Sequence, residues 1–298
     1  MIEWVTEPLS HGTTLRALVE IILIGSVSGV VGCWVVLYEI SYSAESLAHG
    51  LFPGLVAAAL LGLPLLLGGA AGIIVTALLI AAVARYASDH ADTAVAVVVT
   101  SLFGFGVLLA LSPGTPPGIQ ELLFGDLLGV TDRELFAAAA IAAVVLAVLW
   151  LSHDRLMAIG FDSGSGRSLG LRPGAVSALL LTLVAATILV GVQSLGNLLV
   201  AATVIAPAAA ARLLTHRFAP MVLLSVGIAI GAGVAGLYVS YYAKTAAGAS
   251  VAGCLVLAYV GCAAISALAR RAPRPHDGFR AAAGPVSRAA RSPKLDPS

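Results

Sequence analysis

From Gly50 to Ala84 the chain carries no ionisable side chain. As one helix such a run would be roughly 50 Å long at a rise of about 1.5 Å per residue, and the hydrocarbon core of a bilayer is about 30 Å thick. One crossing cannot hold it, and Gly62-Leu63-Pro64 divides it in two. The stretch from Pro173 to Ala211 repeats the problem and is divided by Gln193-Ser194 and Gly196-Asn197. Two such runs fit only a polytopic membrane protein. Composition agrees: 59% of the 298 residues are hydrophobic and 10% are charged, against about 25% charged in ordinary soluble domains. A soluble enzyme, a nucleic-acid-binding domain and a disordered chain are thereby excluded.

The remaining apolar segments complete the fold class, an all-α polytopic bundle. Ile21–Tyr38, with Arg16–Glu20 as its outer turn, makes a first span. Thr93 to Leu111 makes another, stopped by Pro113, Pro116 and Pro117. Leu135–Ser152, Phe218–Ala243 and Thr245–Ala269 follow. The total is nine, or eight if one segment is re-entrant.

Basic residues set the orientation. With the C-terminus inside and nine spans, only Arg16, Arg133 and Lys244 of the 16 Lys and Arg fall outside. The N-terminus is then outside. Residues 1–15 form an extracytoplasmic N-terminus that lacks Lys and Arg, so no basic leader region is evident. Residues 16–269 form the transmembrane domain. Residues 270–298 form a basic cytoplasmic tail, expected to be disordered. Cys33, Cys254 and Cys262 all lie in apolar stretches and read as small hydrophobes. Gly25/Gly29, Gly68/Gly72 and Gly227/Gly231 are small-xxx-small pairs expected to let helices approach closely.

An ionisable group inside a membrane costs about 2.5–3.5 kcal/mol on insertion scales. The segment that most needs a reason is Glu45-Ser-Leu-Ala-His49, followed by Pro53-Gly54. A spacing of four places Glu45 and His49 on one helical face. A carboxylate and an imidazole so placed are ordinary ligands for a divalent transition metal. They could equally form an ion pair at a helix end in the interface. Glu121 and Asp126 follow the proline-rich turn, where a solvated amphipathic turn accounts for both. His11, His90 and His153 read as surface histidines, His216 beside Arg217 as a cytoplasmic interface residue, and Lys244 as part of a short outer loop. No G-x-x-x-x-G-K-[ST], H-E-x-x-H or G-x-S-x-G motif occurs.

Three stretches together resemble a known family, the ABC-3 permease subunits of bacterial importers for zinc, manganese and iron. They are Ser43–Gly54 with its acid, His and Pro-Gly; Gly196–Thr215, the most specific match; and Tyr241–Ala249 with its Tyr-Tyr and Gly-Ala. Leu123-Phe124-Gly125 and Gly160-Phe161-Asp162 with Leu169-Gly170 match more weakly. The similarity covers about residues 16–269. Lys244 stands where the family often has an acid, and Ala246-Ala247 replace a usual Pro pair.

The resemblance implies a multi-pass permease of the bacterial cell membrane that pairs with itself and is not an enzyme. Separate cytoplasmic ATP-binding subunits would hydrolyse ATP, and an extracytoplasmic solute-binding protein would deliver the ion. No cofactor is held permanently, the divalent ion (Zn, Mn or Fe) being cargo, and no nucleic acid is bound. By the same resemblance Glu45 and His49 are pathway ligands, with Glu121 a third. Pro207, Arg212, His216 and Arg217 belong to a cytoplasmic turn that couples to the ATPase. The alternatives are an ABC permease for a metal chelate such as a siderophore or cobalamin, and an ATP-independent secondary metal transporter.

Overall fold

The computed structural model describes residues 12–86, 91–113, 118–119, 121–161, 170 and 172–271, and among these every regular element is a helix. In chain order they are α1 (Gly12–Leu37), α2 (Ser41–Leu61), α3 (Leu65–Tyr86), α4 (Ala91–Ala110), α5 (Glu121–Phe124) and α6 (Asp132–Leu151). There follow α7 (His153–Phe161), α8 (Pro173–Leu195), α9 (Asn197–Leu214), α10 (Phe218–Ala243) and α11 (Ala247–Arg271). Seven of them, α1, α2, α6 and α8 to α11, are long and apolar enough to cross a membrane, and α3 and α4 carry the shorter apolar helical stretches Leu65–Ile80 and Val95–Ala110. Helices suit this solvent because they satisfy their own backbone hydrogen bonds where no water can.

Both sequence breaks fall where expected. Gly62 ends α2 in the left-handed region at φ 66, and its amide bonds back to the last turn. Gly196 separates α8 from α9 at φ 81. Side chains with a Cβ are strained there, and a Cβ on Gly196 would also strike the backbone of Phe124 and Gly125.

Some boundaries move. The first helix is already formed at Gly12, the first described residue, and its polar outer turn is held by Arg16, whose Nε lies 2.8 Å from Asp132. The second helix reaches back to Ser41, so Glu45 and His49 stand on continuous helix, not on an irregular stretch. A capping box starts α6: Thr131 accepts from the Glu134 amide while Glu134 reaches back to the Thr131 amide. The residues of the basic tail after Arg271 lie outside those described.

The main core is built from α1, α2, α6, α7, α8 and α9, around Val31, Trp34, Ala48, Leu156, Leu180 and Val204. Close helix crossings rest on small residues. Gly25 and Gly29 meet Ile230 and Val226 of α10, and Ser225 donates to the Gly29 carbonyl at 2.8 Å. Gly68 and Gly72 of α3 meet Gly54 and Ala58 of α2. The third pair behaves otherwise: a Cβ on Gly227 or Gly231 would meet nothing within 4 Å. Those two glycines face outward, so the motif makes no contact among the described residues. Large apolar side chains are exposed along α3, α4, α10 and α11, among them Leu78, Leu108, Leu223 and Leu257. That distribution is inverted relative to a water-soluble surface and suits lipid.

Candidate functional site

Glu45 and His49 occupy the first half of α2, one turn apart. Their nearest atoms, Glu45 Oε1 and His49 Nε2, are 3.8 Å apart, with side-chain exposures of 56% and 27%. The gap exceeds a hydrogen bond. Glu45 thus reaches open space while His49 is drawn into the bundle, where its ring lies 4.9 Å from that of Phe103 on α4. The inner nitrogen, Nδ1, is buried without a partner among the described residues.

The surrounding helix holds this geometry. Pro53 sits inside α2, and its missing N–H leaves the His49 carbonyl without its usual helical donor. The next carbonyl, that of Gly50, accepts from Thr76 Oγ1 on α3 at 3.1 Å. On one side Gly54 brings α3 into backbone contact, and on the other Gly106 brings α4 against Phe52 and Pro53. The segment before the helix is fixed too, with Glu39 in the left-handed region at φ 57. The result is an imidazole, a carboxylate and a carbonyl that lacks its usual helical donor on one short stretch. These are borderline and hard donors, a chemistry that could hold a divalent ion without enclosing it.

Glu121 opens the four-residue helix α5, but its side chain is not among those described. Its neighbours Ile119 and Leu122 pack around Phe52 and Val56, so the segment lies beside α2 beyond His49. Among the described residues no group of three or more His, Cys, Asp or Glu stands close enough to hold a metal ion.

The predicted cytoplasmic turn is narrower than Pro207–Arg217. Pro207 is buried within α9, which continues to Leu214, and the turn is confined to residues 215–217. Arg212 Nη1 donates to the His216 carbonyl at 3.2 Å, and the Arg217 amide donates to Thr215 Oγ1 at 3.3 Å. Directly after it, the Phe218 ring packs at a tilt against Trp34 at a centroid distance of 4.4 Å, and His153 meets Trp34 edge-on at 5.5 Å. His153 is exposed, as expected of a surface histidine, and its ring also borders this aromatic cluster. Sequence reasoning also missed Glu20, which is only 3% exposed and accepts from Ser194 Oγ at 3.3 Å. Its sole local signal is its position four residues after Arg16.

Comparisons with known proteins converge. The model of the ABC 3 transport family matches residues 10–266. A probable iron transport system membrane protein of Haemophilus influenzae is 29% identical over 242 residues, covering 81% of this chain and 89% of that protein. The manganese transport system membrane protein MntC of Halalkalibacterium halodurans is 30% identical over 233 residues, covering 78% and 80%. Among solved structures, PsaBC from Streptococcus pneumoniae in complex with Fab superposes with a TM-score of 0.82 at 26% identity, covering 88% of this chain and 95% of that one.

Proposed function

Because the chain belongs to the ABC 3 transport family, we propose that it is the membrane-spanning subunit of an ATP-driven importer of a divalent transition-metal ion. Manganese and iron(II) are the foremost candidates, since relatives are named for manganese and iron transport. Zinc shares the same ligand types. The observation that carries the reading is the Glu45–His49 pair, 3.8 Å apart on α2 beside Phe103, within a chain of this family.

In this reading α1–α4, α6 and α8–α11 make nine crossings, with the N-terminus outside and the C-terminus inside. Two copies of the permease form the pathway between them. A solute-binding protein delivers the ion on the outer side, and separate ATP-binding subunits dock below. Glu45 and His49 take the ion in passing, with Glu121 as a third ligand from the 118–124 segment. Two protein ligands with open positions exchange faster than a closed four-ligand cage, which suits an ion that must leave again. The 215–217 turn, with Arg212, His216 and Arg217, receives the motion of the ATPase. Pro207 removes the donor for the Thr203 carbonyl and weakens α9 about two turns before the 215–217 turn, so α9 can bend as the pathway switches between outward and inward openings.

The test is cellular metal content. The chain is co-expressed with its ATP-binding and solute-binding partners in cells lacking high-affinity metal uptake, and manganese, iron and zinc are measured for wild type and His49→Ala at matched membrane abundance. One metal is expected to rise with wild type and to fall back to background in the variant. Uptake that survives His49→Ala makes the histidine structural. Uptake of a siderophore or cobalamin in place of any free ion overturns the proposal in favour of chelate import, and accumulation without the ATP-binding subunit favours a secondary transporter.

A further inference from the structure

A cavity of about 390 Å³ lies at the end of the bundle opposite the 215–217 turn, where α1, α6 and α8 meet the 118–130 segment. At its mouth Asp126, Gly129 and Glu134 are exposed, and at its closed end Glu20 is 3% exposed. The Oε1 atom of Glu20 accepts from Ser194, whereas Oε2 is buried with no partner among the described residues. A carboxylate left in this state is costly, because burial removes its water and one neutral hydroxyl does not replace it.

Among the described residues, no side chain lining the cavity is Lys, Arg or His. The nearest basic residue on the same helix, Arg16, is engaged by Asp132. The two acids at the mouth are held by other donors: Asp126 accepts from the Gly129 amide at 3.0 Å, and Glu134 from the amide and hydroxyl of Thr131 at 2.9 and 2.7 Å. They supply negative field, and among the described acids of the cavity only Glu20 has an oxygen that is buried without a partner. Gln193 and Ser194 add neutral oxygens to the wall.

We propose that this cavity holds a hydrated divalent cation, with Glu20 as the fixed charge at its closed end. The site is of the water-mediated kind. The acids do not converge closely enough for direct coordination by three of them. Six waters occupy about 180 Å³ at about 30 Å³ each, so an ion with its full shell fits. The shell's O–H groups then donate to Glu20, Gln193 and the mouth carboxylates. That the ion is the cargo, waiting to lose its waters before Glu45 and His49, rests on the import reading above.

The full chain in lipid nanodiscs is tested for binding of hexaamminecobalt(III), an exchange-inert stand-in for a hydrated cation that cannot coordinate His49 directly. Wild type is expected to bind one equivalent, and manganese(II) to compete for it. Glu20→Gln, which keeps shape and removes charge, should weaken binding at least about tenfold, the loss expected of one charged hydrogen-bonding partner. Glu134→Gln, which keeps the capping box, should weaken it less, and His49→Ala should leave it unchanged. Equal binding by wild type and Glu20→Gln, at matching thermal stability, overturns the proposal and identifies Glu20 as a neutral buried acid. So does absence of binding in wild type. If manganese import is His49-dependent while Glu20→Gln binds normally, the cavity site fails and the import reading stands. If Glu20-dependent binding is found in a chain that imports no metal, the import reading fails and the site stands.

Discussion

Glu45 presents the smallest test of the pathway. Glu45→Gln keeps the side chain's length and removes its charge, so metal uptake is expected to fall at least about tenfold with membrane abundance unchanged. Glu45→Asp keeps the charge and should retain part of the uptake. Uptake by Glu45→Gln equal to wild type would show that the carboxylate makes only the interface ion pair. Behind the pair, Gly54 has no room for a Cβ, which would strike the Gly68 carbonyl and the Gly72 backbone. Gly54→Ala should therefore cost about 1–3 kcal/mol as overpacking, read as a lowered unfolding temperature of the purified protein, and should also reduce uptake by pushing α3 away from Thr76's contact with Gly50. The pair was legible in the sequence because helical spacing is a local property. Glu20 was not, because its burial depends on α6 and α8 closing over it, and no local pattern encodes that.

At the level of elements, the breaks at Gly62 and Gly196 were legible because turn chemistry is local: both glycines sit at positive φ. The turn of α1 before Arg16 and the short helix α7 were not. Each depends on a partner far along the chain, Asp132 for Arg16 and the Tyr38 hydroxyl, which donates to the Leu156 carbonyl at 2.7 Å, for α7. The outward-facing Gly227 and Gly231 show the limit of motif reading, since small-xxx-small spacing marks a face without saying what meets it. The α6 start makes its own prediction. Thr131→Ala removes the capping box and should cost about 1 kcal/mol, seen as faster amide exchange over residues 132–135 with the rest of α6 unchanged. Exchange at the wild-type rate would mean that the Arg16–Asp132 pair alone holds this helix end.

For the whole molecule, the proposed nine-crossing arrangement fixes a parity, and parity is testable with single cysteines. The native thiols are first replaced. Cys33 is buried and donates to the Gly29 carbonyl at 3.2 Å, so serine is the substitute that keeps a small donor there. Cysteine is then placed at four exposed positions, Leu63, Arg155, Lys244 and Arg270. In the nine-crossing reading, the helices between successive positions make three crossings (α3, α4, α6), three more (α8, α9, α10) and one (α11), so each site is expected across the membrane from the one before. A membrane-impermeant maleimide on intact cells should label Leu63→Cys and Lys244→Cys but not Arg155→Cys or Arg270→Cys, and all four after permeabilisation. The positive-inside bias gives the sign of this pattern, because Arg155, Arg172, Arg212 and Arg217 then share the side of the basic tail. An eight-crossing fold with one re-entrant helix between the first and last positions would put two successive positions on the same side. Labelling of Arg155→Cys together with Lys244→Cys would place that helix among α8, α9 and α10. In that case the 215–217 turn could not share the side of both α7 and the tail, and its role as the ATPase contact would fail with it.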